Sequence, residues 1–162
     1  MSHHIAQLNV ARARTPLDAP EMAGFMALLD PVNDLADASP GFVWRLEDEE
    51  GNATSIRAFD DDRVIVNMSV WESIDALWSY VYSGQHLDVM RRRREWFQHF
   101  GSPALVLWWV RAGEIPSVAE AKRRLALLEQ RGPTPDAFTF KARFEPSGAP
   151  APAIAPPAAC GT

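Results

Sequence analysis

Leu105 to Arg111 reads LVLWWVR, apolar at every position but the last, with two tryptophans side by side. Neighbouring side chains on a strand point to opposite faces, so Trp108 and Trp109 cannot share one, and both faces must be covered. Arg63 to Trp71 (RVIVNMSVW) has the strongest β-propensity in the chain. It sets Ile65, Asn67, Ser69 and Trp71 on one face and Val64, Val66, Met68 and Val70 on the other. Two such strands in a chain of 162 residues that is 47% hydrophobic predict one sheet and one domain.

His4 to Ala11 alternates as a first strand, with Leu8 and Val10 opposed to Gln7 and Asn9. Glu21 to Ala38 has helical spacing (Met22, Phe25, Met26, Leu29, Val32, Leu35), and Pro31 is expected to break or kink it. Phe42 to Glu49 and Ser55 to Phe59, joined by Glu50-Gly51-Asn52, read as a hairpin. Ser73 opens a helix that stops at Ser83-Gly84, and a second runs from Gln85 to about Phe100 with His86, Met90, Arg93 and Phe97 along one face. Ser117-Val118-Ala119-Glu120 is a capping box for a helix to Gln130, closed by Gly132-Pro133, and Phe138 to Phe144 is a last strand. This order predicts an α+β domain over 1–145, an antiparallel sheet covered by helices on one face. The other face then needs a partner, and a homodimer through the sheet supplies it. Residues 146–162 are rich in Pro and Ala with few charges, and are expected to be a flexible tail.

The net charge of -5 provides no basic field for nucleic acid. The only cysteine, Cys160, lies in the tail, which excludes an internal disulfide and fits a reducing cytoplasm. No signal-peptide pattern follows Met1, and the longest apolar runs are far short of a membrane span. The histidines, His3, His4, His86 and His99, form no metal motif; His86 and His99 would stand about 20 Å apart on one helix. There is no phosphate loop or nucleophile elbow, so no cofactor is implied.

The segments HIAQLNVA (4–11), FVWRL (42–46), MSVWESIDALWSYVYSGQHLDVMRRRREWF (68–97), LWWVRAGEIPSVAEA (107–121) and GPTPDAFTFK (132–141) together resemble the domain of unknown function 3291 family of bacterial proteins. The resemblance covers residues 3 to 144 and departs from the pattern at Glu114, on a loop. It implies a ferredoxin-like, dimeric α+β barrel, the fold of the antibiotic-biosynthesis monooxygenases and of some isomerases and haem-handling proteins. It implies no agreed reaction, so chemistry has to come from the site.

His86 is the leading candidate, an imidazole able to move a proton near neutral pH, or else a helix-end residue bonded to a carbonyl. Gln7, Asn9, Asn67 and Ser69 could hydrogen-bond a carbonyl or an enolate, or simply one another. Trp44, Trp71 and Trp108 could wall a flat ligand or be core. Tyr80, Met90 and Phe97 complete the expected lining, with Arg93 the one arginine of Arg91 to Arg94 facing inward. Asp60-Asp61-Asp62 reads as a turn rather than a cation site. The favoured function is a small enzyme of specialised, antibiotic-type metabolism acting on a flat, apolar, polyketide-like substrate. It would work by cofactor-independent oxygenation or by acid/base isomerisation, cyclisation or dehydration. The alternative is a non-catalytic binder of haem or a small metabolite.

Overall fold

The computed structural model describes residues 2–48, 54, 56–98 and 103–152. Five antiparallel strands form one sheet: β1 (His3–Ala13), β2 (Phe42–Arg45), β3 (Val64–Trp71), β4 (Phe97–Gln98) and β5 (Leu105–Arg111). β1 is central. It pairs with β3 along one edge, from Ile5↔Trp71 to Arg12↔Val64, and with β5 along the other, from His3↔Arg111 to Asn9↔Leu105. The short β4 takes the rest of that second edge, at Arg12↔Gln98 and Ala13↔Phe97, and β2 lies outside β3.

The helices are α1 (Ala23–Ala38), α2 (Ile74–Val81), α3 (Gly84–Trp96) and α4 (Val118–Arg131). The Ser73 hydroxyl accepts from Ala76 N and the Ser117 hydroxyl from Glu120 N, which gives α2 and α4 the N-caps expected from sequence. Gly132 ends α4 at φ +71°, a conformation open to glycine.

Register sorts the side chains. One face carries Ala6, Leu8 and Val10 with Val66, Met68, Val70, Val106, Trp108 and Val110, and α4 closes over it with Ala121, Leu125 and Leu128. The opposite face, named here for Gln7, is packed at one end by Ile5, Trp71 and Leu107 against Ala36, Ile74, Leu77 and Phe138. At its other end Ala13 packs with Met22, Phe25 and Trp96. Helices therefore cover both faces. The antiparallel α+β sheet expected from sequence is what forms, with α1 to α3 on the Gln7 face and the Leu8 face taken by α4. That helix carries its own apolar stripe, and burying it over the Leu8 face removes the largest apolar surface within reach.

Four element assignments change. α1 runs through Pro31, because Phe25 and Ala36 anchor it on either side and both Ala27 and Pro31 are exposed, so water can meet the carbonyl that proline leaves without a donor. β2 pairs with β3 itself, while Ile56, Ala58 and Phe59 pack on the Leu8 face as irregular chain; the expected turn at 50–52 lies outside the described residues. α3 ends at Trp96, since Phe97 extends to pair with Ala13 and meets Phe25 edge-on at 4.9 Å; residues 99–102 lie outside the described residues. The expected last strand reduces to a bridge, Leu107↔Phe138, after which 143–152 turns back through Ala151 N to Arg143 O, 2.9 Å. The tail expected from 146 thus has fixed backbone bonds to 151, and 153–162 lies outside the described residues. Among the described residues no helix is long and apolar enough to cross a membrane.

Candidate functional site

Between its two packed ends the Gln7 face keeps its polar residues. Strand alternation puts Gln7 and Asn9 on one side of β1, and the β1–β3 register lays Ser69 beside Gln7 and Asn67 beside Asn9. The Gln7 amide Nε2 donates to Asn67 Oδ1 at 2.7 Å and to Ser69 Oγ at 2.9 Å. Trp71 Nε1 donates to the same Ser69 oxygen at 2.8 Å. Gln7 and Ser69 are each only 6% exposed, whereas Asn9 and Asn67 are open to solvent, so the polar strip runs from the packed interior to the surface.

Aromatic rings carry the arrangement away from the sheet. Trp71 stacks on Tyr80 with centroids 5.0 Å apart and planes 26° from parallel, and Tyr80 meets His86 at 4.6 Å. His86 Nδ1 lies 3.0 Å from the Val81 carbonyl. A carbonyl only accepts, so Nδ1 carries the hydrogen and Nε2 keeps its lone pair. Burial pushes the imidazole pKa down, partly opposed by that hydrogen bond. The neutral ring is therefore favoured at neutral pH, with one fixed basic nitrogen. Burial raises the Tyr80 phenol well above its usual range, against the nearby Arg45 guanidinium, so it is a donor and not a phenolate.

Six sequence-predicted residues form this continuous set: Gln7, Asn67, Ser69, Trp71, Tyr80 and His86. Asn9 joins through its pairing with Asn67. Five fall elsewhere. Trp44 aligns with Val70 because a bulge shifts the register between Phe42 and Trp44, so residues that alternation would put on one side face opposite ways, and Trp44 packs on the Leu8 face. Trp108 sits opposite Ala6 and is fully buried on that same face. Phe97 belongs to the cluster around Phe25. Met90 is half-buried on α3 and has no hydrogen bond to the strip. Arg93, expected to face inward, is exposed, since hydration of a guanidinium outweighs any packing of its stem here.

Two leucines were missed. Leu107 lies opposite Gln7 and Leu105 opposite Asn9, which makes them the apolar side of the strip. Their shared parity with Trp109 within LVLWWVR was visible in the sequence, but not which parity would meet Gln7. Two clefts lie elsewhere. One of 790 Å³ is lined by Pro16–Asp18, Arg57 and Asp60–Arg63, and one of 260 Å³ by Asp37, Phe42–Arg45 and Glu47. Some of their charges are engaged locally, Asp61 with Arg12 at 3.0 Å and with Arg63 N at 2.9 Å, and Asp37 with Arg45 at 2.8 Å. Among the described residues no group of three His, Cys, Asp or Glu side chains is placed to hold a metal ion.

No curated protein matches the chain. Among solved structures it is similar to PA3566 from Pseudomonas aeruginosa, at 14% identity and a TM-score of 0.46 over 70% of this chain and 98% of that one. It is similar to SnoaB, a cofactor-independent oxygenase from Streptomyces nogalater, at 16% and 0.44 over 70% and 97%. For Rv0793 from Mycobacterium tuberculosis the values are 16% and 0.45 over 70% and 99%. The family model for a domain of unknown function, DUF3291, matches residues 4–153, from the second residue of β1 through α4 and including the whole polar strip, and the chain belongs to the DUF3291 family.

Proposed function

We propose that Gln7, Asn67 and Ser69 line a groove that binds a flat, apolar, uncharged substrate through a carbonyl or enol oxygen, and that the protein is a small acid/base enzyme of specialised metabolism. The observation that carries this reading is the Gln7 network: three neutral polar side chains bonded in a row on an apolar sheet face that they share with the half-buried Leu105 and the buried Leu107 and Trp71. Apolar walls with a few fixed polar groups are the usual make-up of a small-molecule site. Neutral donors aimed at one oxygen stabilise an enolate as it forms.

In this reading His86 Nε2 takes the proton, and the Asn67 amide nitrogen, with its own oxygen held by Gln7, donates to the developing oxyanion. The resulting enolate either returns the proton at another carbon, which is isomerisation or opens the way to cyclisation or dehydration, or reacts with dioxygen without a cofactor. Tyr80, stacked on the buried Trp71, forms one wall. The test begins with native mass spectrometry and an absorption spectrum of protein purified without added ligand, to identify the class of any retained molecule. Turnover of that class is then compared in wild type, His86→Ala and Asn67→Ala. A loss of at least about a hundredfold in kcat for His86→Ala is expected of a general base. Unchanged turnover in both variants would reject the mechanism.

A further inference from the structure

Gln7 holds its place by two bonds from one nitrogen, and the pattern has a second solution with the same partners. As drawn, Nε2 gives one hydrogen to Asn67 Oδ1 and one to Ser69 Oγ, while Ser69 also accepts from Trp71 Nε1. Gln7 Oε1 then has no hydrogen-bond partner among the described residues, nor is it among the polar atoms sealed from solvent. It is an acceptor within reach of solvent, with the Asn67 amide nitrogen as a donor beside it.

Turning both amides by half a turn and rotating the Ser69 hydroxyl keeps all three bonds. Gln7 Oε1 now accepts from Asn67 Nδ2 and from the Ser69 hydroxyl, and Trp71 still donates to Ser69, since an indole N–H can do nothing else. The exposed groups have exchanged roles: Gln7 offers a donor and Asn67 an acceptor. The serine is what allows this, because a hydroxyl both gives and takes. Each orientation makes three bonds and leaves one group's hydrogens over, the Ser69 hydroxyl in the first and the Gln7 amide in the second, so bond count favours neither.

We propose that Gln7 is the specificity-determining residue of the groove, and that its reversible amide network admits either polarity of an uncharged oxygen group, carbonyl or hydroxyl, and so both tautomers of an enolisable ligand. This rests on the reading of the groove as a ligand site. A fixed network would bind one tautomer and repel the other, because a buried donor facing a donor costs both groups their partners.

Two bicyclic probes of nearly one shape separate the cases: 2-tetralone, which only accepts, and 2-naphthol, which donates. Binding is measured by calorimetry or by quenching of tryptophan fluorescence. The wild type is expected to bind both with dissociation constants within about threefold. With its buried carboxyl ionised, checked by raising the pH to about 8.5 where 2-naphthol still keeps most of its proton, Gln7→Glu offers acceptors only, so both neighbours must donate inward to it. The expected result is at least about a tenfold shift of preference toward 2-naphthol. Gln7→Met keeps the length without polar atoms and should weaken both probes alike. A wild type that favours one probe by more than about tenfold, or a Gln7→Glu variant with unchanged preference, overturns the proposal while leaving the groove as a binding site. A wild type that binds neither probe overturns it together with the reading beneath it.

Discussion

Gln7, Asn67 and Ser69 are polar positions set into apolar strands and bonded to one another. The hydroxyl of Ser69 shows what such a position carries. It satisfies the buried indole of Trp71 and one hydrogen of the Gln7 amide at once, so Ser69→Ala leaves both without a partner. The expected loss is about 1–3 kcal/mol by chemical denaturation, more than an exposed serine would give. His86 makes a prediction in pH. Its folded pKa lies below the ordinary value, chiefly through burial, so the unfolded chain binds the proton more readily. This stability term is intact above the unfolded pKa, near pH 6.5, and is lost as pH falls from there through the folded pKa. Melting temperatures of wild type and His86→Gln measured at neutral and at mildly acid pH should show a smaller acid loss in the variant. An equal loss would mean that other groups account for the wild-type sensitivity.

Among the elements, α1 and the turn into β2 show local preference set against packing. Pro31 sits in the interior of α1 at an exposed position, where proline costs up to about 3 kcal/mol relative to alanine. Pro31→Ala should therefore stabilise the protein by about 1–3 kcal/mol, read as a raised denaturation midpoint at unchanged slope. Gly41 gives the opposite sign. Its φ is +82°, and a Cβ built on it would come within 2.5 Å of the Ala76 Cβ on α2. Gly41→Ala should cost at least about 1–3 kcal/mol, since backbone strain and a side-chain clash both oppose it. The sequence placed the two serine-capped helices well because a cap is a local signal. It missed the end of α3 at Trp96 because Phe97 answers to Ala13 and Phe25, both more than seventy residues earlier in the chain.

For the molecule as a whole, α4 decides the architecture by closing the Leu8 face within one chain. Leu125 is buried against that face, and Leu125→Ala should destabilise by about 2–5 kcal/mol in equilibrium unfolding, as for a large-to-small change in a packed core. A loss well under about 1 kcal/mol would mean that α4 does not seal the sheet. The amino-acid sequence by itself determined that this chain forms an antiparallel sheet with helices and that some strand faces carry amides among apolar residues. Those properties follow from side-chain alternation and local propensity, which act over a few residues. Only the tertiary structure decided that Gln7 meets Ser69, that Trp44 and Trp108 turn away from that face, and that α4 covers the other. Strand register, a single bulge and the docking of a helix are set by contacts between residues far apart in the chain, where a shift of one position sends every side chain to the opposite face.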